Sequence, residues 1–543
     1  MRKIYYTLTA LTLSLTSCND LLDRMPDNRL VIDSPEKVQQ ALTNAYPQIA
    51  TTLINEFSSD NIDDIGADNI YSNFLTRETA YWQPILEYNN VDGLQNIWDY
   101  HYKAIGQANA ALDAIETTLH NDASLNPAKG EALVARAYAH FCLVNLFSQA
   151  YNPNTSSSDL GIPYITRPEE EMNPQRQRGT VAEVYQQIAA DLEKGLPLID
   201  DSYYQMPKYH FNKKAAYAFA ARFYLYYQKW QKALDAANVV LSGDVSELLR
   251  NWKAFRDGAN VGSSTKNNFA MYYTKESIEA NLMLQPTFTN MLEAYYLDEL
   301  YDARFTHNTF VANNQTLGTK NLWDQDAFNA NNGYPLYWFT PFVNTTGGKY
   351  IDIVNVGKFP RFRRSSSNYG TIIVPFTTDE TLLVRAEAKV MLSDLQGAMD
   401  DLNLWTKAYI TDYKEQNGVR TAHINTGFTI QNVKDFYDSI DYATNTPEGV
   451  TQKKHLHPSF TLVEGSDQEA MIQYILQCRR VLTLGEGLRW QDVRRYNIEV
   501  PRYQKYGNSG AYQVPDILTS GDNRNTFQLP DEVLGAGMEP NPR

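Results

Sequence analysis

The chain has 543 residues, with 63 acidic and 48 basic side chains and a formal net charge of −15. This length allows a sizeable core, and an apolar content of 43% excludes disorder over most of the chain. The acidic balance argues against a nucleic-acid partner, because proteins that bind phosphate backbones need clustered Lys and Arg. Aromatic residues are abundant, with 37 Tyr, 22 Phe and 8 Trp, and their flat faces and polar tips suit both cores and wet recognition surfaces.

Residues 1–17 have the pattern of a secretory signal peptide. Arg2 and Lys3 precede a mostly apolar stretch from Ile4 to Leu15, which is too short to span a bilayer. The sequence from Leu15 to Cys18 resembles a bacterial lipobox, in which the cysteine is lipidated after cleavage. We therefore expect a lipid anchor at Cys18 followed by a tether over 18–33, with a plain secretory signal as the alternative.

Helical patterns dominate the chain after the tether. Ser34 offers an N-cap, Pro35 suits the first helical position, and the apolar pattern continues to Ile49. Further helices are predicted over 104–119, 131–148 and 181–194. Thr180 and Glu183 form a capping box in front of the last of these.

Two later segments, 215–238 and 382–403, share one arrangement. In both, an Ala-rich helix and a short turn precede a large apolar residue, Gln, any residue, Ala, a large apolar residue and Asp. This order is typical of tetratricopeptide-type helical pairs. The pattern predicts an all-α fold with about four such pairs. Stretches without a 3.6-residue period predict long irregular loops over 251–285, 306–375, 411–460 and 500–543.

No sequence motif indicates a cofactor or a structural metal. Cys142 and Cys478 lie in apolar helical patterns typical of core residues, although a bridge between them stays open. The acidic run over 60–69 does not follow the EF-hand order, so a solvated loop is favoured over a Ca²⁺ site. His455 and His457 are separated by one residue and lack a nearby acidic or Cys ligand, so they predict a polar loop and no metal.

Clustered arginines occur near the C-terminus. Arg479 and Arg480 precede an Arg-rich stretch over 489–495, and Glu486 and Asp492 interleave these cations. Phosphate binding and intramolecular pairing on a buried helix are both consistent with the cluster, and the interleaved acids favour pairing.

Short motifs occur along the chain in a definite order: Cys18 to Asp23, Trp98 to Asn109, Arg136 to Phe141, Asp302 to Phe305, Leu382 to Ala388, Gly485 to Tyr496, Leu529-Pro530 and Asn541-Pro542. In this ordered set the chain resembles SusD/RagB-family lipoproteins of the Bacteroidetes outer membrane, and the resemblance extends over nearly the whole chain. One departure is Cys478, where the family usually has Glu.

The resemblance implies a lipid-anchored protein on the outer membrane, facing the cell exterior. It would capture a glycan and pass it to a SusC-type TonB-dependent transporter. The implied fold is a helical scaffold with irregular loops that hold the ligand. The N-terminal part, 34–250, and the C-terminal part, 251–543, would pack as one unit.

A glycan site needs flat rings that stack on sugar C–H faces, and polar groups that satisfy hydroxyls. The densest such loop cluster spans 71–83, where family members commonly place ligand contacts. Two further clusters lie around 323–326 and 334–338. The predicted ligand-binding residues are Tyr71, Asn73, Arg77, Tyr81, Trp82, Trp323, Asp324, Tyr337 and Trp338. Helical patterns instead predict core positions for Trp98, Trp230, Trp405 and Trp490.

The sequence contains none of the common catalytic motifs: no GxSxG elbow, HExxH, phosphate-binding GxxxxGK[ST] or GxGxxG after a strand. We therefore expect a non-enzymatic binding protein. Three alternatives stay open: a peptide-binding member of the same family, a surface glycosidase with paired carboxylates, and an assembly scaffold without a ligand of its own.

Overall fold

The structure is a computed structural model of the chain. It describes residues 31–66, 74–86, 90–169, 176–252, 254, 266–289, 304–323, 358–360, 362–363, 369–410, 414–415, 418–419, 427–507 and 510–543. Helices predominate in these residues, which confirms the predicted helical class. In the part of the chain so described, no helix is long and apolar enough to cross a membrane.

The helices of the N-terminal half are α1 (Pro35–Thr43), α2 (Thr52–Ser58), α3 (Phe74–Ala80), α4 (Leu94–Asp113), α5 (Asn126–Phe147), α6 (Val181–Gly195), α7 (Lys213–Tyr226), α8 (Trp230–Val240) and α9 (Val245–Leu248). Those of the C-terminal half are α10 (Lys266–Tyr273), α11 (Thr309–Gln315), α12 (Thr378–Met391), α13 (Leu395–Tyr409), α14 (Ile430–Asp438), α15 (Asp467–Leu482), α16 (Leu488–Arg495) and α17 (Asp531–Gly535).

The predicted caps are present. The Ser34 side chain accepts a hydrogen bond from the backbone N–H of Lys37 at the start of α1. Thr180 and Glu183 satisfy each other's backbone N–H groups at the start of α6. However, α1 ends at Thr43 and does not reach residue 49. Pro47 keeps the helix from continuing to residue 49, because proline disfavours helical backbone in the residue before it and has no N–H to donate.

Helical pairs occupy the positions that the repeated pattern predicted. Helices α7 and α8 pack together, as do α12 and α13, and α8 packs against α12. The shared pattern has a structural counterpart: Gln231 donates to Asp235 and Gln396 donates to Asp400, both at 2.8 Å. Helices α4, α5 and α6 continue the array. Their assignment as tetratricopeptide units stays a prediction.

Three small sheets interrupt the helices. The largest has the strand order β3-β1-β8-β9. In it β1 is antiparallel to β3 and parallel to β8, and β8 and β9 form an antiparallel hairpin with a bulge. The second sheet has the order β2-β5-β4, and β6 pairs with β7. The strands are β1 (Asp63–Asp64), β2 (Gln285–Phe288), β3 (Phe305–Thr306), β4 (Phe362–Arg363), β5 (Tyr369–Ile373), β6 (Lys414–Glu415), β7 (Gly418–Val419), β8 (Val500–Tyr506) and β9 (Ala511–Leu518).

The prediction of irregular loops is wrong in part. The segment 500–543 contains the β8–β9 hairpin and α17, while α10, α11 and α14 lie inside the other stretches. Each of these elements is short. A 3.6-residue period indicates long amphipathic helices and does not reveal a hairpin, whose register depends on partner strands.

The predicted core positions are largely confirmed. Trp98, Trp405 and Trp490 are buried, and the half-buried Trp230 packs edge-on against Phe460 with their ring centroids 5.3 Å apart. Cys142 and Cys478 are both free thiols, so they form no bridge. Burial raises the pKa of Cys142 to about 12.

The clustered arginines are paired inside the protein, as their interleaved acids indicated. Arg479 and Arg495 both bind Asp492, and both also bind Glu387 from α12. Other partners differ from the prediction: Glu486 pairs with Lys358, and Arg480 and Arg489 bind Asp60. The missed partners are distant in sequence, so spacing could not indicate them.

Candidate functional site

The candidate site lies where α3 meets the largest sheet. Phe74, Arg77 and Tyr81 recur at i, i+3 and i+7, so they share one side of α3 and its last turn. Phe74 is 61% exposed, and the Arg77 guanidinium carbon lies 4.8 Å from the centroid of its ring. The stripe thus presents an exposed ring next to a cation.

At the end of α3, the adjacent residues Tyr81 and Trp82 point in different directions. The Trp82 N–H still bonds to Thr79, but Trp82 adopts φ = 52°, the left-handed conformation that commonly ends a helix. Its indole is directed inward, where Nε1 donates to the Ser58 carbonyl at 2.9 Å and the Arg502 guanidinium carbon lies 4.8 Å from the ring. Tyr81 stays half-buried at the surface.

The Tyr81 hydroxyl is fixed by a carboxylate from β1. Asp64 accepts five hydrogen bonds: one from Tyr81 Oη at 2.7 Å, two from Arg304 at 2.6 Å, one from Gln504 Nε2 at 2.6 Å and one from the Gly66 N–H at 2.8 Å. We call Asp64, Tyr81, Arg304 and Gln504 the Asp64 cluster. It joins α3, β1, β8 and the residue before β3 by side chains.

The electrostatics of the cluster follow from its hydrogen bonds. Burial alone would raise the pKa of Asp64, but the bonds from Arg304, Gln504 and Tyr81 outweigh it and hold that pKa below its usual range. Burial, and then the charge of Asp64, raises the pKa of Tyr81. Tyr81 is therefore a neutral donor to an ionised carboxylate, and its ring also packs edge-on against Phe305.

The sheet extends this surface beyond α3. Gln504 pairs in register with Gln513, whose side-chain amide donates to Gln504 Oε1 at 2.6 Å. Because alternate residues of a strand share a face, Tyr506 lies on the same side of β8 as Gln504, and it is 50% exposed. We call Phe74, Arg77, Tyr81, Gln504 and Tyr506 the α3 surface. It combines three accessible rings with guanidinium and amide groups.

A buried group of charged residues lies next to β1. Asp60 binds Arg489 and Arg480, with Nε of Arg489 at 2.7 Å. These two cations hold the pKa of Asp60 far below its usual range, although burial opposes them. Asp60, Asp63 and Asp64 are all buried, so the prediction of a solvated loop is wrong for residues 60–64. The oxygens of Asp60 and Asp64 bind guanidinium groups.

The predicted ligand-binding residues have different positions in the structure. Arg77 and Tyr81 belong to the α3 surface. Trp82 and Trp323 are only 1% and 4% exposed, and Trp323 packs against Trp405 and Tyr474, so neither offers a ring face to a ligand in this conformation. The remaining predicted residues lie outside the described residues: Tyr71, Asn73, Asp324, Tyr337 and Trp338.

Sequence reasoning did not identify Phe74, Asp64, Arg304, Gln504 or Tyr506 as parts of a site. Phe74 lies inside the predicted cluster over 71–83, so its position was available. The other four converge only through strand pairing between segments far apart in the chain.

Comparisons with known proteins agree with this architecture. Residues 20–225 match a SusD-like family model described as "Starch-binding associating with outer membrane". The chain is 22% identical to SusD-like protein P38 of Formosa agariphila over 511 residues, which cover 89% of both chains. Both matches relate the chain to SusD-like proteins. Its similarity to a second SusD-like protein of that organism, P2, is 25% over 268 residues, covering 46% of this chain and 48% of that protein.

Solved structures show the same SusD fold. A SusD superfamily protein from Bacteroides thetaiotaomicron superposes with a TM-score of 0.61 at 18% identity, covering 94% of this chain and 99% of that one. A SusD-like carbohydrate binding protein from Bacteroides vulgatus superposes with a TM-score of 0.56 at 16% identity, covering 92% and 96%. The description of the matched family model combines starch binding with association with the outer membrane.

Proposed function

We propose that this protein is a non-catalytic, lipid-anchored receptor that captures oligosaccharide or polysaccharide at the cell surface. The observation that carries the proposal is the α3 surface, where the exposed Phe74 ring and the fixed Tyr81 ring adjoin Arg77 and Gln504. Rings of this kind pack against sugar C–H faces, and the polar groups exchange hydrogen bonds with hydroxyls.

Captured glycan would then pass to a SusC-type TonB-dependent transporter in the outer membrane. The similarity to SusD-like proteins and the predicted lipobox at Cys18 support this step, since a tethered receptor stays close to a membrane pore. Co-purification of a TonB-dependent transporter with the lipidated protein from outer membranes is the expected result. Its absence after mild crosslinking would contradict the transfer step.

The electrostatics of the α3 surface argue against glycoside hydrolysis there. A glycosidase needs one carboxyl group that holds a proton near neutral pH and gives it to the leaving oxygen. Asp64 is the carboxylate that joins the surface, and its five hydrogen bonds stabilise the ionised form. It is therefore a structural acceptor and a poor general acid.

The proposal is tested with soluble protein that begins at Asn19. Calorimetry against a panel of polysaccharides, starting with starch because of the family description, should show binding without release of reducing ends. Release of reducing ends would indicate a glycosidase. Binding of peptide mixtures in place of glycans would indicate the peptide-binding alternative and contradict the proposal.

A further inference from the structure

Two histidines, His455 and His457, lie in an extended segment that precedes α15 in the chain. Residues 454–457 alternate between buried and exposed, with Lys454 and Leu456 inside and His455 and His457 outside. The two imidazoles therefore share one solvent-facing side. Their planes are nearly parallel, at 9°, and their centroids lie 6.3 Å apart.

The tertiary structure gives His455 the acidic neighbour that its sequence surroundings lack. Glu464 Oε1 lies 2.7 Å from His455 Nδ1, and both side chains are about half exposed. An ionised carboxylate only accepts, so Nδ1 carries the proton and the Nε2 lone pair of a neutral imidazole is left available. A carboxylate on the far nitrogen is the usual partner of a metal-binding histidine, where it orients the ring and increases its basicity.

Neighbouring residues fix the His455 ring and the His457 backbone. Tyr442 stacks on His455 with a centroid distance of 4.3 Å. The backbone N–H of His457 donates to the Tyr496 carbonyl, which anchors the second residue. Two neighbouring cations are bound to other groups: Lys453 Nζ donates to the Tyr437 carbonyl and lies 4.0 Å from the centroid of the Tyr442 ring, and the buried Lys454 donates to Gln315.

We propose that His455 and His457 form a surface site for a borderline transition-metal cation, Zn²⁺ or Cu²⁺, oriented by Glu464. The rings are parallel with centroids 6.3 Å apart, so a cation bound by both Nε2 atoms at about 2.0–2.1 Å requires rotation about the side-chain bonds of His457. Within the described residues, no three His, Cys, Asp or Glu side chains group as a metal site. The protein would thus supply two ligands, with water completing the coordination. Imidazole ligands favour Cu²⁺ over Zn²⁺ and do not select Ca²⁺ or Mg²⁺.

Isothermal titration of tag-free protein with CuCl₂ and ZnCl₂ tests the site directly. We expect one equivalent of Cu²⁺ to bind, Zn²⁺ to bind more weakly, and MgCl₂ to give no signal. Binding should weaken strongly at pH 5, because protons compete for the imidazole nitrogens. Hyperfine coupling from two imidazole nitrogens in the electron paramagnetic resonance spectrum of the Cu²⁺ protein would identify the ligands.

Three variants and one control separate this site from non-specific binding. His455→Gln and His457→Gln should each abolish the two-nitrogen spectrum. Glu464→Gln should retain it while weakening affinity by roughly tenfold, the effect expected for an orienting partner. His120→Asn is the control, because His120 is exposed and has φ = 54°, a conformation that Asn tolerates. Unchanged Cu²⁺ affinity in His457→Gln, or no binding by the wild-type protein, would overturn the proposal.

Discussion

At the scale of single residues, the α3 surface depends on one buried carboxylate. Asp64 holds Tyr81, Arg304 and Gln504 at once, although these residues lie up to 440 positions apart. The sequence indicated Tyr81 by its place in an aromatic cluster, whereas nothing local indicated Asp64 as its acceptor. The acidic run predicts a solvated loop when taken alone, because the cations that bind Asp60 and Asp64 come from distant elements.

Tyr81→Phe tests whether the hydroxyl or the ring of Tyr81 matters. The substitution removes one of five hydrogen bonds to Asp64, so we expect a loss of about 1.5 kcal/mol in unfolding free energy, near the lower end for a bond to a charged group. The ring remains, so glycan affinity should change little. Urea denaturation and calorimetry measure the two effects. An unchanged stability, or a loss of glycan binding as large as that of a ring deletion, would contradict this division of roles.

Asp63, beside Asp64 on β1, should make stability fall as pH rises. Burial raises its pKa to about 8, although the charges of Arg502 and Arg480 oppose the shift. Between about pH 4 and 8 the folded state keeps a proton that the unfolded chain has lost, so this residue's contribution to the unfolding free energy declines with rising pH.

Asp63→Asn imitates the protonated acid at every pH. Its stability relative to the wild type should therefore increase from pH 5 to pH 8, by up to about 1.4 kcal/mol per pH unit. Urea denaturation of both proteins at pH 5, 6.5 and 8 provides the comparison. A difference in stability that stays constant with pH would show that the pKa of Asp63 in the folded protein is not raised into this range.

At the scale of secondary-structure elements, close approach between helices α5 and α6 organises part of the scaffold. A Cβ added at Gly130 of α5 would lie 2.9 Å from the Gly195 carbonyl oxygen of α6 and 2.9 Å from Leu198 Cβ. The Ala-rich patterns predicted close packing of helices. The particular glycine contact could not be predicted, because it depends on which helix faces which.

Gly130→Ala should separate α5 from α6 and destabilise the fold by about 1–3 kcal/mol, the usual cost of overpacking. Gly106→Ala is the matched control, since Gly106 lies within α4 and an added Cβ there meets nothing within 4 Å. The control should gain roughly 0.5–1 kcal/mol from better helix propensity. Thermal unfolding of both variants measures the contrast, and equal shifts would refute the close-packing interpretation.

At the scale of the whole molecule, the sequence predicted the helical class, the repeated helical pairs and the resemblance to SusD-like proteins, because these follow from periodicity and from ordered motifs along the chain. It located part of the candidate site through the aromatic cluster over 71–83. The sequence also predicts that Trp82 and Trp323 bind ligand, and it could not indicate their burial because exposure is a tertiary property. The left-handed end of α3 turns Trp82 inward, and Trp323 packs against Trp405. The hairpin residues Gln504 and Tyr506 became visible only when β8 paired with β1.

The central claim is that the α3 surface binds glycan through its exposed ring, and Phe74→Ala tests it most directly. Phe74 is 61% exposed, so its removal should leave stability nearly unchanged. Val463→Ala, at a site 63% exposed and remote in sequence, is the control. The measurement is the dissociation constant for the polysaccharide that the wild-type protein binds. We predict a weakening of about tenfold or more for Phe74→Ala and none for Val463→Ala, whereas equal affinities for all three proteins would contradict the claim.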